Sequence, residues 1–332
     1  MRVHTHAPGP PGHGVVRHAR SVARLCASRG VLESAQEPDL THAHFTDALF
    51  GSTIEEAVRA YLNWAARTSH PLVVTMHDVP DPLGGSRRDR ARSAGYAAVA
   101  AAGDAIVVSA EHEARKVALL TGKPLHHIDL PLPPEPLAAS CATPAGVTSS
   151  LVVLGYVYPG KGHREAIDLA AAVGLDRPGG PPAVIAAGAP SAGHRELADQ
   201  LRRHAGLRRV PLTVTGDLSD SRFAAVARAA GVPLALNRTV SASGSLLSWL
   251  SCRRRPVTWT GPYSTEIDRR YPGNLLLGAT WSELTDHVRR ALADPATTRL
   301  PNYPRWRDVG AEHVALYRTV LALPAHRAVP TC

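Results

Sequence analysis

Four short segments of the sequence carry residue types at spacings that could do chemistry. In LVVTMHDVPDP, His77 and Asp78 directly follow an apolar run. An imidazole there could donate to a hydroxyl or stabilise charge, and the carboxylate could orient it or act as a base. In LVVLGYVYPGKGHREAI, Lys161 stands between Gly160 and Gly162. Only three of the 37 Lys/Arg residues are lysines, Lys116, Lys123 and Lys161, so a lysine here breaks the chain's arginine habit. A compact ammonium on a flexible stem suits a phosphate met as a point charge. In NRTVSASGSLLSWLSCRRRPV, a turn containing Ser241, Ser243, Gly244 and Ser245 runs into an apolar helical stretch. Its N–H groups and hydroxyls could form an anion nest. In the opening MRVHTHAPGPPGHGVVRHARSVARL, Gly12 and Gly14 would let backbone approach a phosphate or sugar at a helix start near Val15. Each segment also has a plainer reading: turn glycines, a solvated turn lysine, Ser243 or Ser245 as an N-cap, and an N-cap Asp beside a turn-satisfied His. The run Arg253 to Arg255 reads as a solvated face at a helix end, where its charge suits the helix dipole.

The elements that must hold these residues alternate. Short, continuously apolar runs occur at 72 to 76, 105 to 109, 151 to 154, 183 to 186, 212 to 215 and 233 to 236, as expected for strands buried on both faces of a parallel sheet. Between them lie Ala-rich stretches with helical spacing, such as Val15, Ala19, Val22 and Cys26, or Leu197, Leu201 and Ala205. Repeated βα units imply an α/β protein with doubly wound sheets and ligands at the carboxyl ends of the strands. At 332 residues the chain has room for two such domains. The segment from Leu130 to Ser150, rich in Pro, Ala and Ser and beginning PLPPEP at 131, reads as the linker.

Charge separates the same two halves. Residues 1 to 150 hold 14 Lys/Arg against 14 Asp/Glu, and residues 151 to 332 hold 23 against 14, so the net +9 lies entirely in the second half. Aromatic residues are only 5% and do not interleave with the arginines, which removes the stacking platform that single-stranded nucleic acid needs. A compact polyanion such as a nucleotide diphosphate fits two anion-binding turns in one basic half. No stretch approaches ~18 consecutive apolar residues, and the first thirty residues lack an apolar signal core, so a cytoplasmic protein is expected. Cys26, Cys141, Cys252 and Cys332 show no CxxC spacing and suggest neither a zinc cage nor a disulfide framework.

Taken in order, these segments resemble the glycosyltransferases of the GT-B fold, specifically family 4, over nearly the whole chain. The resemblance is carried by the glycine loop at 12 to 14, HAHFTDALFG at 42 to 51, VVTMHD at 73 to 78 and DAIVVSAEHEA at 104 to 114. It continues through LGYVYPGKG at 154 to 162, VTGDLSD at 214 to 220, SASGSLLSWLSCRRRPV at 241 to 257 and the ending RWRDVGAEHVALYRTVL. It implies two Rossmann-like doubly wound domains facing each other across a cleft. Residues 1 to 145 would bind the acceptor and 146 to 304 the nucleotide sugar, with 305 to 332 a helix returning to the first domain. The donor would be a UDP- or GDP-sugar held by Gly12, Gly14, Tyr156, Lys161, Gly216, Ser243, Gly244, Ser245 and Leu246. His77, Asp78 and Ser241 would lie at the reacting sugar. No metal or other cofactor is expected, because a lysine, backbone N–H groups and a helix dipole can stabilise the leaving diphosphate.

The chain also departs from the family pattern. The family's arginine two residues into its GR…KG motif is Tyr156 here, and its paired glutamates fall on Ser241 and Trp249. The expected activity is metal-independent, retaining sugar transfer to a small soluble acceptor. The Ala/Arg/Pro-rich usage suggests a GC-rich bacterial genome, where such transferases often build secondary metabolites, antibiotics among them. Three rivals remain: an inverting O- or S-transferase with Asp78 or His77 as base, a thiol acceptor included; a catalytically degenerate sugar-nucleotide-binding partner protein; and, last, a nucleic-acid binder.

Overall fold

The computed structural model describes residues 1 to 136 and 146 to 323, so Cys141, Cys332 and part of the 130 to 150 segment lie outside the described residues. The chain forms two compact units, Met1–Pro131 with Trp306–Cys332, and Leu132–Arg305.

Each unit is built on a six-stranded sheet in which every pairing is parallel. In the first unit the strands are β1 (Arg2–His6), β2 (Leu32–Glu33), β3 (Leu40–Phe45), β4 (Leu72–Met76), β5 (Ala105–Val108) and β6 (Leu125–His127), in the order β2-β1-β3-β4-β5-β6. In the second they are β7 (Leu151–Leu154), β8 (Val184–Ala187), β9 (Leu212–Val214), β10 (Val232–Ala235), β11 (Val257–Trp259) and β12 (Leu276–Gly278), in the order β12-β11-β10-β7-β8-β9. The strand order reverses between β1 and β3 in one sheet and between β7 and β10 in the other. Those are the switch points where doubly wound sheets leave a crevice at the strands' carboxyl ends.

Helices cover both faces, so β4 and β7 are almost wholly apolar, whereas β3 buries Thr41, His42 and His44. Leu72, Val73, Val74 and Met76 of β4 and Leu151, Val152 and Leu154 of β7 are fully buried. Helix starts carry side-chain caps: Thr53 accepts from Glu56 N, Ser86 from Asp89 N and Thr280 from Glu283 N. The helix Val309–Ala322 belongs to the first unit, where Val309, Val314, Leu316, Tyr317 and Val320 share a core with Val3, Val22, Leu40 and Val73. Cys26 and Cys252 are buried free thiols. Among the described residues, no helix is long and apolar enough to cross a membrane.

Within the arginine run at 253 to 255, Arg253 is exposed as expected of a solvated face, and Arg254 departs from it. Arg254 is 3% exposed. Its guanidinium donates to the carbonyls of Thr298, Arg228, Ala230 and Gly231 and to Thr298 Oγ1. Burial, then the charge of Arg299, pushes it down to about 10. A second stretch of chain around 298, remote in sequence, covers this arginine and supplies carbonyls for its fork of donors.

Candidate functional site

The second unit's switch point is where its chemistry gathers. Two loops leave the carboxyl ends of neighbouring strands, one from β7 through Gly155 to Gly162 and one from β10 through Asn237 to Ser243. The first loop needs its glycines: Gly155, Gly160 and Gly162 have φ of +95°, +82° and +97°. A Cβ on Gly162 would come within 2.5 Å of the Leu236 Cβ. This close approach of the loop to the strand end sets Lys161 between the two loops. Lys161 is 6% exposed and its Nζ donates to Ser245 Oγ at 2.6 Å. The Tyr158 ring centre lies 5.6 Å from the same Nζ, and the Tyr158 hydroxyl accepts from Asn237 Nδ2 at 3.1 Å.

Among the described residues, Lys161 is a cation without a compensating anion. Burial pushes its pKa down to about 8, with no acidic side chain contributing. Keeping that ammonium charged at neutral pH costs on the order of 3 kcal/mol. A bound anion would recover that cost.

Ser243, Gly244, Ser245 and Leu246 open the helix Gly244–Ser251. Ser243 is its N-cap, with Oγ accepting from Leu246 N at 3.2 Å and lying 3.2 Å from Ser245 Oγ. Leu246 has its side chain buried and its N–H already given to Ser243 Oγ. The first-turn N–H groups of Gly244 and Ser245 have no acceptor within the helix, and they start beside the lysine. The structure thus brings Lys161, Ser243, Gly244 and Ser245 together.

Other candidates stand apart. Tyr156 is 39% exposed and, among the described residues, makes no hydrogen bond to Lys161 or the serines. Gly216, at φ +71°, follows the edge strand β9, two strand spacings or ~10 Å from β7. Ser241 lies on the loop after β10, two residues before the N-cap. Trp249, at the second glutamate position of the family pattern, is fully buried and donates its indole N–H to Leu234 O at 3.0 Å. It is part of the core beneath β10.

His163 was not singled out from sequence. It begins the helix His163–Gly174 two residues after Lys161, is 3% exposed, and has two buried ring nitrogens with no hydrogen-bond partner among the described residues. Burial, then the charge of Lys161, pushes it down to about 3. Tyr158, Lys161, His163 and Gln200 line a recess of about 190 Å³. Beside the serine turn, the Arg238 guanidinium stacks 3.8 Å above the Trp259 ring.

The first unit holds a different constellation. His77 and Asp78 follow β4, and their backbone is clamped. His77 N donates to Phe45 O at 2.8 Å, Tyr96 OH to His77 O at 2.9 Å and Arg92 Nη2 to Asp78 O at 2.9 Å. Arg92 is itself fixed by a two-pronged pair with Asp47, at 2.8 and 3.3 Å. Asp78 adopts φ +52°, a left-handed backbone uncommon outside glycine, and accepts from Thr46 Oγ1 at 3.1 Å. It caps no helix: the next one starts at Arg87 with Ser86 as its cap.

The His77 ring faces other histidines. Its Nε2 lies 3.2 Å from His44 Nδ1, and its ring centre is 5.2 Å from that of His18. Burial pushes His77 down to about 4, opposed by the charge of Asp78 and reinforced by that of His13. Gly14 starts the helix Gly14–Ala27 and Gly12 lies in the preceding turn, whose His13 caps the helix by accepting from Val15 N at 3.3 Å. His18 and His44 were missed from sequence, although two signals exist. Period-two alternation puts His42 and His44 on one face of β3, and His18 lies on the Val15, Ala19, Val22 stripe of its helix.

Neither a protein-family model nor a curated protein matches the sequence. The fold does have solved counterparts. Sucrose-phosphate synthase from Thermosynechococcus elongatus superposes with a TM-score of 0.71 at 13% identity, covering 97% of this chain and 99% of that one. Anabaena HepE, solved in complex with UDP and glucose, gives 0.66 at 12% identity over 97% of each chain. AviGT4, a glycosyltransferase involved in avilamycin A biosynthesis, gives 0.58 at 16% identity over 97% of this chain and 98% of its own. The two parallel six-stranded sheets are those of the GT-B fold.

Proposed function

We propose that the chain is a glycosyltransferase that moves a sugar from a UDP- or GDP-sugar to a small soluble acceptor, with retention and without a metal at the diphosphate. The second unit would hold the donor and the first the acceptor. The observation that carries this reading is Lys161, a buried ammonium without a partner carboxylate among the described residues, aimed at a serine-capped helix N-terminus at a switch point. Such a site favours a dianionic group by charge, by backbone N–H donors and by hydroxyls.

The transfer follows from what the site can stabilise. The bond from the anomeric carbon to the diphosphate oxygen breaks, and negative charge grows on that oxygen. Lys161 and the N–H groups of Gly244 and Ser245 meet the charge as it develops. The acceptor hydroxyl attacks from the face the diphosphate leaves and gives its proton to the departing diphosphate, so no protein base is required. His77, held by Tyr96 and Phe45 through its backbone, would position the donor sugar. The family 4 resemblance supports this assignment, HepE, solved in complex with UDP and glucose, supports a nucleotide-sugar donor, and AviGT4, involved in avilamycin A biosynthesis, supports a place in secondary-metabolite biosynthesis.

A thermal-shift panel of UDP, GDP, dTDP and ADP, with and without magnesium, tests the donor class. One diphosphate should raise the midpoint without metal. No response to any of them would overturn the reading. Trp249 favours a second one, a sugar-nucleotide-binding partner without transferase activity, because a core tryptophan stands where the family carries a carboxylate. That protein would bind the diphosphate yet hydrolyse no donor on long incubation.

A further inference from the structure

His18, His44 and His77 converge from three elements: the first helix, β3 and the segment behind β4. One ring nitrogen of each lies within 4.8 Å of the others. The ring centres are 5.3 Å apart for His18 and His44, 5.2 Å for His18 and His77, and 5.5 Å for His44 and His77. Three imidazoles on one tetrahedral ion, each at about 2.0–2.1 Å, place their nitrogens about 3.3 Å apart and their ring centres about 5.2 Å apart. The observed triangle is near-equilateral at that size, and His44 Nδ1 and His77 Nε2 already stand 3.2 Å apart.

One hydrogen bond, between His44 Nδ1 and His77 Nε2, joins two of the three rings and does not reach the third, His18. Both ring nitrogens of His18 are buried without a hydrogen-bond partner among the described residues, a costly state unless a lone pair is given to something else; the unpaired Nε2 of His44 is the nitrogen turned away from His77. The adjacent His42 shows the contrast: its Nδ1 meets Tyr317 OH and its Nε2 meets Thr75 Oγ1, each at 2.7 Å. His44 is fully buried, while His18 and His77 are partly exposed as whole residues.

We propose that His18, His44 and His77 form a three-imidazole site for one divalent transition-metal ion of the zinc class, with a fourth position open to water or to a substrate oxygen or sulfur. The site belongs to the first unit and is distinct from the diphosphate site at Lys161, where no metal is invoked. His77 Nε2 is the nitrogen committed to the ion, which leaves Nδ1 for the sugar contact proposed above.

The test uses the full chain stripped with a chelator and titrated with cobalt(II), with no nucleotide present. Visible bands of four-coordinate cobalt should saturate at one ion per chain, and zinc should displace them. His18→Ala, checked for an intact melting transition, should weaken cobalt by more than the 10–100-fold typical of outer-shell losses, and His44→Gln should do the same. Lys161→Met should bind cobalt as the unaltered chain does. Absence of stoichiometric binding to the unaltered chain, or affinity unchanged in folded His18→Ala, would overturn the site. Because no diphosphate enters the titration, failure of the transferase reading would leave this result intact.

Discussion

The two units share a sheet architecture yet equip their switch points with opposite chemistry. In the second, a single ammonium is buried against hydroxyls and a helix N-terminus, in the half of the chain that carries all the net charge. In the first, neutral imidazoles pack on one another, and the backbone that presents them is clamped by Tyr96 and Arg92. One crevice is poised for an anion, and the other is built from lone pairs and directional contacts. Fold alone therefore does not set what a doubly wound sheet binds; the side chains gathered at its switch point do.

The comparison can be strained most severely at Trp249. Trp249→Glu would place there the carboxylate of the family pattern that the sequence resembles, but this position packs under β10. It should destabilise the second unit by at least ~4 kcal/mol, through lost tryptophan packing and a buried charge, as read by urea denaturation. Recovery of a stable protein with improved donor turnover would show that Trp249 does not belong to the core. A smaller effect of opposite sign is expected at Lys161. Removing the unpaired cation with Lys161→Met should stabilise the fold by up to about 3 kcal/mol near pH 7, while diphosphate affinity falls roughly 10- to 150-fold, the worth of a charged hydrogen bond. A variant that loses stability and keeps affinity would contradict the uncompensated charge.

Legibility from sequence followed the range of the interactions. Strand runs such as 72 to 76 and 151 to 154 lie where β4 and β7 form, because continuous apolar composition is a local signal. Lys161 stood out by rarity and by its flanking glycines, and those glycines do adopt the left-handed backbone. Arg254 was misread because three consecutive arginines look solvated until the chain around Thr298 returns to cover one of them. His18 and His44 were not assigned a role because a helix period and a strand period meet only in three dimensions. The clamp on His77 is illegible for the same reason, since Tyr96 is 19 residues away.

That clamp offers the mildest perturbation. Tyr96→Phe removes one hydrogen bond to His77 O, worth about 1 kcal/mol. It should lower kcat several-fold with KM for the donor little changed, as steady-state kinetics would show. An unchanged kcat in a folded protein would detach His77 from the transfer step.

Proton linkage at Lys161 tests the central claim most directly. In the free protein the folded pKa, about 8, lies below the ordinary 10.5, so between those values the unfolded chain binds more protons and this group's penalty fades as pH rises. A bound diphosphate restores the charged form. Calorimetric titration with the diphosphate selected by the thermal-shift panel, at pH 9 in buffers of different ionisation enthalpy, should therefore reveal uptake of close to one proton. Affinity should decline above pH 8, and Lys161→Met should abolish the uptake. Binding with no proton uptake, or with uptake that persists in Lys161→Met, would contradict the account.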